Sequence, residues 1–229
     1  MGMNIKIPDA NFTKSLGAIL PFNSNLVGYW NFSAGLTEGR KNQVTGSVAS
    51  LIGSPSVVDG ALNIDRTKGL LTNLVVNSNK TFITVMRYDG SNILVGSIDY
   101  TVSGTSGQDG IFTDGNTAAV QVNRGSGART TSANYFTPDK PYIIAGTLDN
   151  VGSDVYVYDG TNTVTATKAS TDAQTDIYPL RIGGWATSVN TFEGNAKIYT
   201  TLVYNRKLSA SEINTVFEYL KSKSNLFAG

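Results

Sequence analysis

Leu180-Arg181-Ile182-Gly183-Gly184-Trp185, then Phe192-Glu193-Gly194-Asn195-Ala196-Lys197-Ile198-Tyr199, then Val203-Tyr204-Asn205-Arg206-Lys207-Leu208-Ser209-Ala210-Ser211-Glu212-Ile213 form the most informative part of the chain. They read in order as a strand, a glycine-flanked loop, a long strand and one short amphipathic helix. Ser209 is a natural N-cap and Glu212 lies three residues on, the capping-box spacing in which each side chain satisfies an orphan backbone donor. Ile213, Val216, Phe217 and Leu220 follow at i, i+3, i+4 and i+7, which predicts a helix over about 209–223 with one apolar stripe laid on a sheet. Lys221 and Lys223 fall where a helix C-terminus favours cations.

Upstream the period changes to two. Phe82, Thr84, Met86 and Tyr88 alternate with Ile83, Val85 and Arg87, and Val155 and Val157 alternate with Tyr156 and Tyr158. Asp89-Gly90 and Asp159-Gly160 sit between apolar runs as hairpin signals, because the favoured two-residue turns need positive φ. Twenty-four glycines, with abundant Asn, Thr and Ser, punctuate these segments. The pattern predicts an all-β protein, an antiparallel β-sandwich of short strands with long loops and one C-terminal α-helix.

The closing order resembles the end of laminin-G-like domains in the concanavalin A-like lectin/glucanase jelly-roll superfamily. Their last strand runs into an asparagine-arginine-x-leucine-serine turn and a glutamate-bearing helix. Leu26-Val27-Gly28-Tyr29-Trp30-Asn31-Phe32 resembles the opening strand, Ala61 to Asp65 the strand after the first excursion, and Thr81 to Tyr88 the central strand. Pro141 to Asp149 with Asp154 to Gly160 resembles the paired strands and their turn. The resemblance covers residues 26 to 223. It divides the chain into an N-terminal arm or edge strand, 1–25, and a jelly-roll domain, 26–229, with no linker-like segment between them.

Composition narrows the chemistry. Eighteen basic side chains face seventeen acidic ones, so no electrostatic footprint for nucleic acid is expected. No segment reaches the roughly 20 apolar residues a membrane span needs, so no membrane insertion is expected. Residues 16–22 are short, contain Pro21 and lack a cleavage pattern, so they are not expected to be a signal peptide. Cysteine and histidine are absent, which removes disulfides, thiolates and histidine bases. Jelly-roll glucanases, which the resemblance brings in, carry their catalytic glutamates on one strand. Glu38, Glu193, Glu212 and Glu218 form no such pair, and the expectation is that the chain is no enzyme.

Binding candidates lie on expected rim loops. Trp185, after two glycines and before Asn190, offers either an aromatic face for a sugar or a ring folded over the sandwich edge. Arg124 and Arg129, on a glycine-rich stretch ahead of Tyr135, could grip acidic sugars or a partner protein, or be solvated loop charges. Laminin-G-like domains often hold calcium on rim loops, and Asp109, Asp114 and Asn116 could supply oxygens for it; a plain glycine-rich turn is the other reading.

Residues 3 to 25 hold Ile5, Ile7, Phe12, Leu16, Ile19 and Phe22, too apolar for a plain tail. They are expected to dock on the sandwich or to join subunits, for example as a homo-oligomeric trimer. A cysteine-free, charge-poor jelly roll with such an arm looks like a bacteriophage virion protein that binds a host-surface glycan or a neighbouring virion protein. The alternative is a carbohydrate-binding module of a bacterial surface or secreted protein, located extracellularly or on the cell surface.

Overall fold

Alternating residues of this chain bury both faces of one sheet and, in a second, the inner face and part of the outer one. The structure, a computed structural model, describes residues 20–99, 108–115, 117–122, 125–129, 136–169, 176, 178–185 and 194–227. In chain order its strands begin with β1 (Leu26–Asn31), β2 (Ser50–Ile52), β3 (Ser56–Val58), β4 (Ala61–Ile64), β5 (Gly69–Leu71), β6 (Lys80–Asp89), β7 (Asn92–Gly96) and β8 (Gly110–Asp114). They continue with β9 (Thr117–Val122), β10 (Gly125–Arg129), β11 (Pro141–Leu148), β12 (Gly152–Tyr158), β13 (Thr163–Ala169), β14 (Arg181–Gly183) and β15 (Asn195–Tyr204). A short helical turn, α1 (Leu36–Gly39), follows β1, and the helix α2 (Ala210–Lys223) follows β15.

The first sheet has the order β13-β12-β11-β6-β15-β4-β3, with β1 also paired to β15; the second has the order β10-β9-β8-β7-β14-β5-β2. Every pairing described is antiparallel, and the architecture is the β-sandwich that the alternation predicts. Phe82, Met86, Tyr88, Val155 and Val157 point between the sheets, into a core that also holds Trp30, Leu94, Ile111, Val120 and Ile182. Ile83, Val85, Tyr156 and Tyr158 point outward and are covered by Ile213, Val216, Phe217 and Leu220 of α2. Ser209 caps α2 with a complete capping box, in which Glu212 accepts from the Ser209 backbone N–H at 2.9 Å.

Glycine decides how closely the sheets approach. A Cβ at Gly146, mid-strand in β11, would lie 2.2 Å from Ile111 Cγ2 and 2.8 Å from Val120 Cγ2 of the facing sheet. Of the two Asp-Gly signals, one marks a hairpin and one does not. Asp159-Gly160 opens the 159–162 loop of the β12–β13 hairpin, longer than the two-residue turn expected, with Tyr158 opposite Thr163 and Gly160 at φ 99. Asp89-Gly90 closes no hairpin: β6 and β7 belong to different sheets, so this turn carries the chain across the sandwich. Gly90, at φ 124, packs against Gly194, where a Cβ would lie 2.8 Å from its Cα.

The first residues of the arm lie outside the described residues. Its end is seen. Leu20 and Phe22 pack against the cluster under α2, the Tyr204 hydroxyl donates to the Pro21 carbonyl at 3.1 Å, and the Arg206 guanidinium stands 5.5 Å from the Phe22 ring centre. Residues Asn23–Asn25 form a 3-10 turn rather than a strand.

Candidate functional site

The outer face of the first sheet is longer than the helix that covers it. Beyond α2 a groove of about 870 Å³ remains, between the end of the helix on one side and the β3–β4 turn on the other. That turn is a two-residue connection, Asp59 and Gly60 at φ 51 and 74, with Val58 opposite Ala61. Three tyrosines line the groove: Tyr29 from β1, Tyr199 from β15 and Tyr219 from α2, all half-buried. Asn31, Gln43 and Arg87 add amide and guanidinium groups along the same surface.

A β-bulge aims one of these rings. In β15, Ile198 pairs with Met86 and Thr200 with Val85, so Tyr199 is the extra residue opposite no partner. Its insertion flips the parity of the strand. Ile198 faces the inter-sheet core, yet Leu202 and Tyr204 face the helix, which strict alternation from Ile198 would forbid. Bulges re-aim side chains in this way next to functional surfaces. The Tyr199 carbonyl accepts from the Phe32 N–H at 3.1 Å, which ties the bulge to β1.

The polar groups of the groove are held in place. Asn31 Nδ2 donates to the Tyr29 hydroxyl at 3.2 Å, and the Ser33 N–H donates to Asn31 Oδ1 at 2.9 Å. Burial, with Tyr29 nearby, raises the pKa of the Tyr219 hydroxyl, so it stays a neutral donor and acceptor at physiological pH. Lys223 Nζ lies 5.9 Å from the centre of the Tyr219 ring. Arg87 continues the outward row of Ile83 and Val85 past the helix. Its Nε is buried and has no hydrogen-bond partner.

The residues singled out from sequence lie elsewhere. Trp185 is fully buried on the outer face of the second sheet, among Ile93, Ile98, Phe112 and Ala119, with its indole N–H 3.3 Å from Asn92 Oδ1. No aromatic face is left for a sugar there, because a ring of that size gains more from apolar burial than from the rim. Arg129 ends β10 at the edge of the second sheet, opposite Ala119. Arg124, Tyr135, Asn190 and Asn116 lie outside the described residues.

The calcium reading of Asp109 and Asp114 is corrected. The two residues sit at opposite ends of β8, and at about 3.3 Å per residue five residues of strand separate them by roughly 16 Å. Asp109 is fully buried and bonds Lys80 Nζ at 3.0 Å. The same ammonium meets Asp176 Oδ1 at 2.5 Å, and Ser97 Oγ donates to that oxygen at 2.8 Å. Burial pushes the Asp176 carboxyl up to about 7 against the lowering effect of Lys80 and Ser97. This is an internal ion cluster that pins the segment before β14 to β6 and β8. Among the described residues no three acidic side chains converge as a metal site.

No family model matches the chain, and no curated protein matches it. Solved structures do. Trypanosoma rangeli sialidase in complex with sialic acid superposes with a TM-score of 0.62 at 20% identity, over 90% of this chain and 34% of that one. A mutant of the same sialidase displaying trans-sialidase activity gives 0.64 at 19% identity, over 92% and 35%. The botulinum neurotoxin serotype D binding domain gives 0.60 at 12% identity, over 86% and 52%. The chain thus spans about a third of the sialidase chains and half of the toxin domain, and the likeness is one of fold. It corrects the expectation that the chain is no enzyme, since its fold is found within hydrolase chains. Absence of a carboxylate pair is no bar either, because one class of glycosidase works with a tyrosine nucleophile. What the comparisons establish is the fold, a β-sandwich.

Proposed function

We propose that this chain is a glycan-binding β-sandwich module whose sugar site is the groove beside α2. The observation that carries the reading is the lining: three half-buried tyrosines with Asn31, Gln43 and Arg87 around about 870 Å³. Sugar rings present apolar C–H faces and a rim of hydroxyls, which such a surface meets with aromatic faces and amide groups. The volume falls in the range of about 300–1,000 Å³ typical of small-ligand sites. The fold shared with a sialidase and with a toxin binding domain is compatible with the reading.

Calorimetric titration of the full chain against a broad oligosaccharide panel tests it. At least one glycan should bind, and Tyr199→Ala and Tyr29→Ala should each weaken that glycan by about tenfold, the equivalent of about 1.4 kcal/mol. Binding that both variants leave untouched, or a panel in which nothing binds, overturns the assignment. The laminin-G-like affiliation rests on the asparagine-arginine-x-leucine-serine segment at 205–209. A setting in a virion or on a bacterial surface rests on the cysteine-free, charge-poor composition, and a trimer through residues 1–25 on the apolar side chains of that segment.

A further inference from the structure

Most described cations of this chain have a carboxylate. Arg206 is held by Glu212, Arg181 by Asp99, Lys197 by Asp139, and Lys207 by Asp149 and Asp154. Arg87 has none among the described residues, and its Nε is a buried donor with no acceptor. A guanidinium left in this state is unusual, because an unsatisfied buried donor loses its water without compensation. The residue also lines the groove.

Its neighbours do not supply the missing acceptor. Arg87 lies across from Pro141 of β11 on one side and Lys197 of β15 on the other, and the Lys197 ammonium is engaged by Asp139 at 3.0 Å. The charged residues lining the groove are Arg87, Lys223 and Asp59, so its charge is net positive in a chain that is otherwise balanced. Asp59 belongs to the opposite wall, on the β3–β4 turn, and makes no ion pair with Arg87. Beyond its Nε, a guanidinium carries two Nη groups, whose N–H pair forms a planar fork that fits the two oxygens of a carboxylate.

Resting on the assignment of the groove as a sugar site, we propose that Arg87 is its specificity residue and that the preferred ligand is an acidic glycan, whose sugar carboxylate Arg87 binds. The tyrosines pack on the ring while Arg87 reads the charge. A neutral sugar of the same shape gives the guanidinium no counter-charge and loses that contribution.

The experiment is calorimetric titration of the full chain against uronic-acid and other carboxylated oligosaccharides, each beside its methyl ester, which keeps ring and linkage and erases the charge. The acid should bind about tenfold or more tighter than its ester, the size of one lost charge-assisted hydrogen-bonding contact. Arg87→Gln should abolish the preference, so that acid and ester bind alike. Arg87→Lys, which keeps the charge without the fork, should retain part of the preference, and unchanged thermal unfolding of both variants shows that the fold is kept. Equal binding of acid and ester, or an acid preference that survives Arg87→Gln, overturns this inference while the sugar site stands. A chain that binds neither form of any pair overturns both.

Discussion

Asp176 shows how much one buried group can impose. Its carboxyl sits in the internal cluster with Lys80, Asp109 and Ser97, and burial raises its pKa to about 7 from 3.8. The folded state therefore holds a proton that the unfolded chain releases near pH 4. Between about pH 4 and 7 stability falls as pH rises, and above about 7 this contribution is constant. Glu212 acts in the opposite window. Its hydrogen bonds with Arg206 and Ser209 hold its pKa near 2, so the stability it supplies is present above about pH 4.5 and is lost as pH falls towards 2. Urea unfolding across pH 2 to 8 should show a rise followed by a decline. Asp176→Asn should remove the decline and leave the acid limb in place; a decline that persists in that variant assigns it to another group.

At the scale of elements, the segment 205–209 is a joint. Arg206 makes two bonds to Glu212, at 2.9 and 2.6 Å, and a third to Asn25 Oδ1 at 2.9 Å. Its carbonyl accepts from Thr81 Oγ1, which in turn accepts from the Leu208 N–H, so β15, β6, α2 and the end of the arm meet at one point. The helix is held by packing more than by its cap. Phe217→Ala should cost about 3–5 kcal/mol, as for other buried aromatic truncations, and Ser209→Ala about 1 kcal/mol. Equal losses in chemical denaturation would contradict that division. Gly146→Ala should cost about 1–3 kcal/mol, because its Cβ drives into Ile111 and Val120 and forces the sheets apart.

Over the whole molecule, one core runs between the sheets from Trp30 to Val203 and draws on strands throughout the chain. Neither sheet buries its inner face without the other. A single unfolding transition is expected, with the same midpoint by near- and far-ultraviolet circular dichroism; two separated midpoints would show that the sheets or the helix unfold independently.

Elements with local signals can be read directly along the chain: the two-faced strands, the capped helix with its apolar stripe, and the hairpin at Asp159-Gly160. Ser209, Glu212 and the i, i+3, i+4, i+7 spacing act within a few residues, so they can be read without a fold. Where side chains from distant strands meet is set by packing instead. Tyr29, Arg87, Tyr199 and Tyr219 are far apart in the chain and carry no shared motif, and their groove exists because α2 covers only part of the sheet. The Tyr199 bulge could not be read from alternation, since an extra residue shows itself only against the partner strand that it fails to match. Trp185 and Asp109 follow the same logic: a ring after two glycines and an acid beside a glycine both look like rim chemistry, and packing places one in an apolar cluster and the other on Lys80. Sheet-to-sheet stacking sets these outcomes, because it depends on registers that no short window of sequence contains.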